Sequence, residues 1–499
     1  MNISMNLERS ALYFPGNTAI RDGGIDISYA QLNEQATRIA TALLGLGVSA
    51  GDHIALCAPN SWKWVAFYFG VLKTGAVAVT LSSLLRRQEL ELLLCHCSPK
   101  VVFAFDGILA DLAGVREKAG IETVISDGGD MGFEQLVKTG APAFTAVQRD
   151  RSDTAVILYT GGTTGVPKGV ELTHENITQS IQNVIFYEHS NENDTALLFL
   201  PFNHVFGQMH IMNATILSAG CIELIPSFDM QAVLDILKQG RVTKLYAVPT
   251  IYARFLQLDG LKEKLGSVRY CFSAAASIAA EHVSQWKART GLSIYESYGM
   301  TEAAPMVTYN HLYRHVAGSV GTPVSGVEVE IRDTFGNPEK TGNKGEICIR
   351  GRNIMKGYLN NPEANAEAFW ENGWFRSGDI GIIDSEGYLF IVDRIKDMII
   401  TGGENVYPRE VEEILYTHPD VSECAVIGLP DPEWGEKTTA VIVTKSGKAM
   451  DYTEVKAYLK AQLSPFKVPK VYRFVDELPK SPTGKILKRM LRQDLSEEK

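Results

Sequence analysis

A run of glycine and threonine residues follows a short apolar stretch in this 499-residue chain. The run is Tyr159-Thr-Gly-Gly-Thr-Thr-Gly-Val-Pro-Lys-Gly169. Glycine lets backbone N–H groups converge on an anion, threonine hydroxyls add donors, and lysine brings a charge to phosphate oxygens. Because the G-x-x-x-x-G-K-[ST] spacing is absent, the loop predicts phosphate binding outside the P-loop ATPases. The candidate phosphate ligands are Thr160, Gly161, Gly162, Thr163, Thr164, Gly165 and Lys168.

Further motifs of polar, aromatic and glycine residues follow this loop. They are Tyr295-Glu-Ser-Tyr-Gly-Met-Thr-Glu302, Trp374-Phe-Arg-Ser-Gly-Asp379, Asp393-Arg-Ile-Lys-Asp397 with Gly402-Gly-Glu-Asn405, and Pro479-Lys-Ser-Pro-Thr-Gly-Lys485. In this order, the five motifs resemble those of adenylate-forming enzymes. Nearly the whole chain resembles the acyl-CoA synthetase branch of that superfamily.

The resemblance implies a two-step reaction that needs ATP and Mg²⁺. A carboxylic acid would attack the α-phosphorus of ATP in line, forming acyl-AMP and releasing pyrophosphate. The acyl group would then pass to coenzyme A. A carboxylate is a poor electrophile, and AMP supplies the leaving group that it lacks. Catalysis of the first step is therefore positioning and charge neutralisation.

The resemblance implies catalytic roles for four side chains. Thr301 would hydrogen-bond the α-phosphate, and Glu302 would hold Mg²⁺, a hard cation suited to carboxylate and phosphate oxygens. Lys485 would reach the α-phosphate and the substrate carboxylate during adenylation only. His204, within the segment Leu200-Pro-Phe-Asn-His-Val-Phe-Gly207, would stand beside the carboxylate.

The resemblance also implies a nucleotide site. Tyr298 would stack on adenine, Asp379 would accept hydrogen bonds from the ribose hydroxyls, and Arg394 would assist there. Many relatives have glycine at one or more of positions 274–276, and most have serine or threonine at position 161. The remaining candidates for this site are Ala274, Ala275, Ala276, Glu296, Ser297 and Gly299.

The second half-reaction would need a turn of the C-terminal domain. Lys396 stands at the position that resembles the hinge, where one residue absorbs a large φ/ψ change. Gly402 and Gly403 would line a channel for the pantetheine arm, which side chains would block. The candidates for contact with the CoA nucleotide are Trp434, Phe466, Lys467 and Lys470.

The acyl pocket is the least specified part of the predicted site. Amino-acid-activating relatives use an Asp in the segment around His204, and Asn203-His204 offers none. We expect a medium- or long-chain fatty acid. An aromatic acid remains an alternative, as does loading of the phosphopantetheine of an acyl carrier protein. A non-catalytic nucleotide or acyl sensor is disfavoured because Lys485 and Glu302 are both present. Candidate lining residues are Phe206, Met209, Met212, Ala247, Phe272 and Ser297.

Alternating strands and helices must position these residues. Residues 28–44 predict an amphipathic helix with a capping box between Ser28 and Gln31. Short apolar strands are predicted at 53–58, 101–105, 155–159, 196–200, 222–225 and 244–248, with helical stretches such as 231–238 between several of them. This alternation predicts largely parallel sheets covered by helices. Gly45-Leu-Gly47-Val-Ser-Ala50 matches G-x-G-x-x-A, but it closes a helix and precedes a strand, so we interpret it as a helix C-cap.

The pattern changes after residue 320. Short strands at 327–331, 346–350 and 387–392 predict a small barrel-like or antiparallel unit. Beyond it, a helix with Pro408 in its first turn, strands at 423–427 and 438–443, a helix at 454–463 and a strand at 471–475 predict an α+β unit. The predicted fold is α/β: a large N-terminal domain of layered sheets and helices (1–393) with a small barrel-like subdomain, a hinge (394–396), and a mobile α+β C-terminal domain (397–499).

The composition is that of an ordinary globular protein. Apolar residues make up 45% and charged residues 21%, and the net charge of −10 argues against a nucleic-acid binder. No apolar run reaches the length of a membrane span, and the N-terminus lacks a signal-peptide pattern. Seven cysteines fit a reducing compartment, so we expect a cytoplasmic protein. The sequence leaves the oligomeric state open.

Overall fold

The computed structural model describes residues 1–160, 167–445, 450–481 and 484–497. Numbered in chain order, the strands are β1 (Thr18–Asp22), β2 (Ile25–Ser28), β3 (His53–Cys57), β4 (Val77–Thr80), β5 (Val101–Ala104), β6 (Thr123–Ile125), β7 (Thr154–Thr160), β8 (Lys168–Thr173), β9 (Thr195–Leu198), β10 (Cys221–Leu224), β11 (Lys244–Ala247), β12 (Tyr270–Ser273), β13 (Ile294–Glu296), β14 (Thr308–Tyr309), β15 (Thr322–Pro323), β16 (Val327–Arg332), β17 (Gly345–Gly351), β18 (Gly357–Tyr358), β19 (Phe375–Ile383), β20 (Leu389–Arg394), β21 (Ile399–Thr401), β22 (Glu404–Val406), β23 (Val421–Asp431), β24 (Gly435–Thr444) and β25 (Val471–Phe474).

The helices lie between these strands. They are α1 (Met5–Tyr13), α2 (Tyr29–Gly45), α3 (Trp62–Lys73), α4 (Arg87–Cys97), α5 (Leu109–Ala113), α6 (Arg116–Ala119), α7 (Phe133–Thr139), α8 (His174–Tyr187), α9 (Ala214–Leu217), α10 (Met230–Leu237), α11 (Pro249–Phe255), α12 (Leu261–Leu265), α13 (Ala280–Thr290), α14 (Pro362–Ala368), α15 (Pro408–Thr417), α16 (Tyr452–Lys460) and α17 (Lys488–Glu497). A π-helix spans Phe206–Asn213, and 3₁₀ turns span Asp106–Ile108, Thr301–Ala303, Ile395–Asp397 and Pro465–Lys467.

Two seven-stranded sheets form the body of the protein. One has the order β13-β12-β11-β9-β10-β1-β2 and is parallel from β13 to β1, with β2 antiparallel at its edge. The other has the order β18-β8-β7-β4-β3-β5-β6, in which β7, β4, β3, β5 and β6 are parallel. One apolar cluster draws on strands and helices of both sheets. The predicted helix-covered, largely parallel sheets are confirmed.

Helix α2 shows how local sequence fixes these elements. The hydroxyl of Ser28 accepts from the backbone N–H of Gln31, and the Gln31 side chain accepts from the Ser28 N–H, so the predicted capping box is present. The helix ends at Gly45, and Gly47 has a φ of +81°, which favours glycine. Strand β3 starts only at His53, so this G-x-G-x-x-A segment does close a helix.

A four-stranded antiparallel sheet follows, in the order β16-β17-β19-β20. Strand β19 is not among the predicted strands; its first residues, 375–379, belong to the motif that begins at Trp374. Strand β20 also runs two residues past the predicted end, so Arg394, the first residue of the predicted hinge, still belongs to the sheet. Lys396 lies in the 3₁₀ turn that follows.

The C-terminal part has its own sheet and its own apolar clusters. β22, β21, β24 and β23 are neighbours in that order, and β25 pairs with β24 in parallel. Two apolar clusters, one around Val426 and the other around Ile427, lie wholly after residue 398. Pro408 is the first residue of α15, as predicted. Helix α16 ends at Lys460, three residues before the predicted end, and Pro465 follows closely. Among the described residues, none of the helices has the length and apolar character that crossing a bilayer requires.

Candidate active site

Four neighbouring parallel strands end where the predicted site residues begin. β9, β11, β12 and β13 are adjacent in one sheet and run in the same direction. Their carboxyl ends lead into the segment around His204, into Pro249 and Thr250, into residues 274–276 and into residues 297–302. In open α/β sheets, ligands bind outside the carboxyl ends of the strands. Residues far apart in sequence therefore meet at one edge.

A buried carboxylate links this edge to the antiparallel sheet. The Tyr298 hydroxyl donates to Asp379 Oδ2 at 2.6 Å, and Arg394 Nε lies 3.2 Å from Asp379 Oδ1. Asp379 and Arg394 face each other in register across β19 and β20. Burial and the nearby Asp379 charge raise the pKa of Tyr298, so its phenol stays a donor. The three residues predicted for adenine and ribose are therefore brought together.

The predicted magnesium carboxylate lies beside the predicted phosphate loop. The Tyr358 hydroxyl donates to Glu302 Oε1 at 3.0 Å, and Lys168 Nζ lies 4.7 Å from the centroid of the Tyr358 ring. Thr301 and Glu302 share one 3₁₀ turn. Burial raises the pKa of Glu302. The sequence analysis missed Tyr358, and no periodicity or motif in its neighbourhood marks it.

The donor set around Glu302 fits a magnesium ion held partly by substrate. Within the described ranges, no three His, Cys, Asp or Glu side chains are grouped as metal ligands. Mg²⁺ keeps several waters and is commonly bound by one or two carboxylates plus phosphate oxygens. Glu302 shares the neighbour Tyr358 with Lys168, a predicted phosphate ligand, and one carboxylate so placed suits that mode.

The phosphate loop itself lies mostly outside the described residues, including the predicted ligands Gly161, Gly162, Thr163, Thr164 and Gly165. Its two ends are described. Thr160 ends β7, Lys168 begins β8, and the two pair across the antiparallel ladder. The predicted ligands therefore belong to the segment that connects β7 to β8.

Lys485 reaches this site from the C-terminal part of the chain. Burial and the Arg394 charge lower the pKa of Lys485 to about 8, against the attraction of Asp379. Burial, together with the Lys485 charge, also lowers the pKa of His204 to about 4. His204 is therefore neutral near pH 7. The Phe206 backbone N–H donates to His204 Nδ1 at 3.2 Å, which leaves Nε2 as the donor.

The segment predicted to lie against adenine has an unusual backbone. Ala275 has a φ of +71°, in the left-handed region that favours glycine. Position 299 accepts only glycine, because a Cβ there would lie 2.1 Å from the Pro305 carbonyl oxygen. Glu296 Oε2 is buried with no hydrogen-bond partner among the described residues, and burial raises the pKa of Glu296 to about 8.

The residues predicted for the thiol half-reaction lie on the C-terminal part of the chain. Gly402 and Gly403 connect β21 to β22, and the Gly402 N–H donates to the Trp434 carbonyl at 2.8 Å. A Cβ on Gly402 would lie 2.9 Å from the Trp434 ring. Lys470 Nζ lies 3.0 Å from the centroid of that ring. Lys467 forms an ion pair with Glu410. The roles of these residues in CoA binding stay predictions. Burial and the Arg394 charge lower the pKa of Lys396, the predicted hinge residue.

The acyl pocket candidates form a buried group with an aromatic wall. Phe206, on the π-helix, lies 5.7 Å from Phe272 on β12, measured between ring centroids. Met209, Met212 and Ala247 are fully buried, whereas Ser297 is half-buried.

The sequence analysis missed a buried polar group next to this wall. His210 Nε2 lies 2.6 Å from Glu188 Oε1, the Tyr246 hydroxyl donates to Glu188 Oε2 at 2.5 Å, and Lys244 Nζ lies 3.5 Å from the same oxygen. Against the effect of burial, the charges of His210 and Lys244 hold the pKa of Glu188 low. His210 lies on the π-helix, a type of helix that recurs at functional sites, but no pattern in the sequence predicts it.

Comparisons with known proteins agree with this arrangement. Residues 7–359 match the family model described as AMP-binding enzyme, and residues 410–485 match the AMP-binding enzyme C-terminal domain. A feruloyl-CoA synthase of Amycolatopsis sp is 37% identical over 497 residues, with 97% of each chain covered. A long-chain-fatty-acid–CoA ligase of Bacillus subtilis (strain 168) is 32% identical over 527 residues, covering 98% of this chain and 94% of the relative.

A solved structure matches at the level of the whole chain. The crystal structure of ATP-bound MatB from Rhodopseudomonas palustris has a TM-score of 0.94 at 34% identity, covering 99% of both chains. The apo crystal structure of MatB has a TM-score of 0.82, covering 100% of this chain and 99% of the other. This chain therefore resembles the ATP-bound form more than the apo form.

The fold, the gathering of the predicted nucleotide-site residues at the strand ends and these relatives define an adenylate-forming enzyme. The chain belongs to the AMP-binding enzyme family, and it is an AMP-forming acyl-CoA synthetase whose substrates are an acid, ATP and CoA. The comparisons give no support to the alternative of an acyl carrier protein as acceptor.

Proposed function

We propose that this acyl-CoA synthetase activates an acid with a planar aromatic group. The observation that carries the proposal is the ring cluster beside the predicted acyl pocket. Centroid distances are 5.3 Å from Phe206 to His210, 4.5 Å from His210 to Phe272 and 6.3 Å from Phe272 to Tyr309. Aromatic pairs prefer offset or edge-to-face contacts at these distances, so a planar substrate ring finds matching partners here. The feruloyl-CoA synthase relative supports the same class of acid.

We assign the roles in adenylation to residues that meet at the strand ends. Neutral His204 donates from Nε2 to the substrate carboxylate and adds no charge that would trap it. Lys485 neutralises the charge that develops at the α-phosphate, and Thr301 hydrogen-bonds that phosphate. Glu302, oriented by Tyr358, would hold a magnesium ion, which when bound would offset phosphate charge. Thr160, Lys168 and the loop between them hold the outgoing pyrophosphate.

We assign the second half-reaction to a different placement of the C-terminal domain. Residues 394–396 are the hinge between a core of residues 1–393 and a moving unit of residues 397–499. Lys396, in the 3₁₀ turn after β20, absorbs the change in backbone dihedrals. The separate apolar clusters after residue 398 support a unit that moves as one body. Gly402 and Gly403 then face the pantetheine arm, and Trp434 and Lys470 face the CoA nucleotide.

A screen of acids tests the proposal. Pyrophosphate release would be measured with ferulate, benzoate, octanoate and palmitate, and thioester formation with CoA would follow for each acid that reacts. We expect the aromatic acids to give the highest kcat/KM. Phe272→Leu should lower kcat/KM for ferulate more than kcat/KM for octanoate. Phe67→Leu is the control, because Phe67 on α3 stacks on Phe103 of the other sheet, and it should change neither value. Preference for octanoate or palmitate in the unchanged protein would refute the aromatic assignment.

A medium- or long-chain fatty acid is the second candidate. Met209 and Met212 are fully buried on the π-helix, and flexible thioether side chains adapt to aliphatic chains. The Bacillus subtilis relative supports this class. In the screen, this candidate predicts a kcat/KM that rises with chain length and does not respond to Phe272→Leu.

A further inference from the structure

The turn that carries Lys485 rests on the start of helix α11. The Thr250 hydroxyl donates to the Gly484 carbonyl oxygen at 3.1 Å, although the two residues are 234 positions apart. Thr250 is the second residue of α11, three residues after the end of β11. The contact therefore joins the carboxyl edge of the large sheet to the C-terminal part of the chain.

The close approach depends on the absence of a side chain at position 484. A Cβ there would lie 2.9 Å from Thr250 Oγ1 and 3.0 Å from Val248 Cγ2. Gly484 also has a φ of +82°, a conformation that residues with side chains rarely adopt. Only glycine lets this backbone sit directly on the helix start.

The same turn fixes the peptide that precedes Lys485. The Gly484 N–H donates to the Ser481 carbonyl at 2.8 Å, and the Lys485 N–H donates to Ser481 Oγ at 3.1 Å. The Gly484 carbonyl and the Lys485 N–H belong to one planar peptide unit. A hydroxyl that holds the carbonyl therefore also orients the backbone from which the Lys485 side chain extends.

We propose that Thr250 is a positioning residue for the adenylation half-reaction: its hydroxyl holds the Gly484–Lys485 peptide so that the Lys485 ammonium reaches the reacting groups. The proposal rests on the role assigned to Lys485. The proposal also rests on the different placement of the C-terminal domain that we assign to thioester formation, in which this contact would have no part. In this assignment Thr250 acts through the Gly484–Lys485 peptide and not on the substrate.

Two variants at position 250 test this inference. Thr250→Val removes the hydroxyl and keeps the branched shape, whereas Thr250→Ser keeps the hydroxyl. Pyrophosphate release from acid and ATP measures adenylation, and acyl transfer from supplied acyl-AMP to CoA measures the second step. We expect Thr250→Val to slow adenylation roughly 5- to 10-fold, as for the loss of one hydrogen bond, and to leave acyl transfer unchanged. Thr250→Ser should restore adenylation to within about twofold.

A matched control excludes a general effect of threonine-to-valine substitution. The Thr178 hydroxyl donates to the His174 carbonyl at 2.7 Å within helix α8, and this bond involves none of the predicted site residues. Thr178→Val should leave both half-reactions unchanged. Equal slowing of both steps by Thr250→Val, or no slowing of either, would overturn the proposal.

A lysine variant separates this proposal from the role of Lys485. Lys485→Ala should slow adenylation strongly and spare transfer from acyl-AMP. If it slows both steps equally, the role assigned to Lys485 is wrong. If Lys485→Ala behaves as expected while Thr250→Val leaves adenylation unchanged, only the Thr250 inference is wrong.

Discussion

Tyr298 and Asp379 are joined by a 2.6 Å hydrogen bond between phenol and carboxylate, although they lie 81 residues apart in the chain. Tyr298 follows β13 of the large parallel sheet, and Asp379 lies within β19 of the antiparallel sheet. Both residues are buried, with 7% and 5% of their surface exposed. The bond therefore sets the orientation of the carboxylate from across the site.

Removal of this hydroxyl should weaken ATP binding. In Tyr298→Phe the ring that we assign to adenine remains, but Asp379 loses a donor and keeps only Arg394. A hydrogen bond to a charged group contributes roughly 1.5–3 kcal/mol, so we expect the KM for ATP to rise about tenfold or more. Steady-state pyrophosphate release measures this KM.

Tyr295→Phe is the matched control for that variant. Tyr295 lies three residues earlier, and its ring stacks on Tyr270 at 5.4 Å. This substitution should leave the KM for ATP unchanged. Equal values of the KM in both variants and in the unchanged protein would contradict the role assigned to the Tyr298–Asp379 bond.

Tyr358 should control the requirement for magnesium. Its hydroxyl donates to Glu302 Oε1, and outer partners of metal ligands commonly change metal affinity 10- to 100-fold when lost. Tyr358→Phe keeps the ring under Lys168 and removes only this donor. We expect the Mg²⁺ concentration for half-maximal pyrophosphate release to rise about tenfold.

The control for this variant is Tyr388→Phe. The Tyr388 hydroxyl donates to the Arg314 carbonyl at 2.9 Å, away from Glu302. An unchanged magnesium titration in Tyr358→Phe, or the same shift in Tyr388→Phe, would show that Tyr358 does not orient the metal ligand. Chelation of divalent cations should stop pyrophosphate release in every variant.

The sequence predicted those parts of the fold that local chemistry determines. The capping box of Ser28 and Gln31, the first turn at Pro408 and the alternation of strands and helices each depend on residues close together in the chain. The observed ends of strands and helices differ from the predicted ends by one to several residues, since the last hydrogen bonds of a strand depend on the neighbouring strand. Strand β20 extends to Arg394 because β19 pairs with it up to Asp379.

Contacts between distant segments could not be predicted in this way. Neither Tyr358 beside Glu302 nor Thr250 beside Gly484 follows from any spacing, because each pair forms only when different elements pack together. Thr250 had a usable signal, since it directly follows a parallel strand whose carboxyl end lies at the site. The Glu188 group had none, because periodicity marks apolar faces and not buried ion pairs.

Glu188 should contribute more to stability than any surface acid. It is fully buried and binds His210, Tyr246 and Lys244. Removing one partner of a buried ion pair typically costs about 3–5 kcal/mol, because the other charge stays buried without a partner. We therefore expect Glu188→Gln to lower the free energy of unfolding by about 3 kcal/mol. The shift of the urea midpoint measures this effect.

An exposed ion pair offers the comparison. Glu328 Oε2 lies 2.7 Å from Arg350 Nη2 at the surface. Such pairs contribute little to the free energy of unfolding, because water screens their charges. Glu328→Gln should therefore leave the urea midpoint in place. Similar midpoints in the two variants would mean that the Glu188 group does not stabilise the core.

The pH dependence of adenylation should report Lys485. Burial and the neighbouring Arg394 charge lower the pKa of its ammonium to about 8, so the cation that adenylation needs is lost as the pH rises through this value. We expect kcat/KM for ATP in pyrophosphate release to be level near pH 7 and to fall towards tenfold per pH unit above about pH 8. Acyl transfer from supplied acyl-AMP should not fall in this range, because Lys485 takes no part and the CoA thiolate increases with pH.

Lys485→Arg tests whether Lys485 causes the fall in kcat/KM above about pH 8, because a guanidinium stays charged throughout this pH range. The variant should have a lower maximum rate, since the shape of the cation differs, but its profile should lose the fall above about pH 8. We expect His204 to cause no change in kcat/KM between pH 5 and 8, since its pKa of about 4 keeps the imidazole neutral in this range. A level profile up to pH 10 in the unchanged protein, or the same fall in Lys485→Arg, would assign the titration to another group.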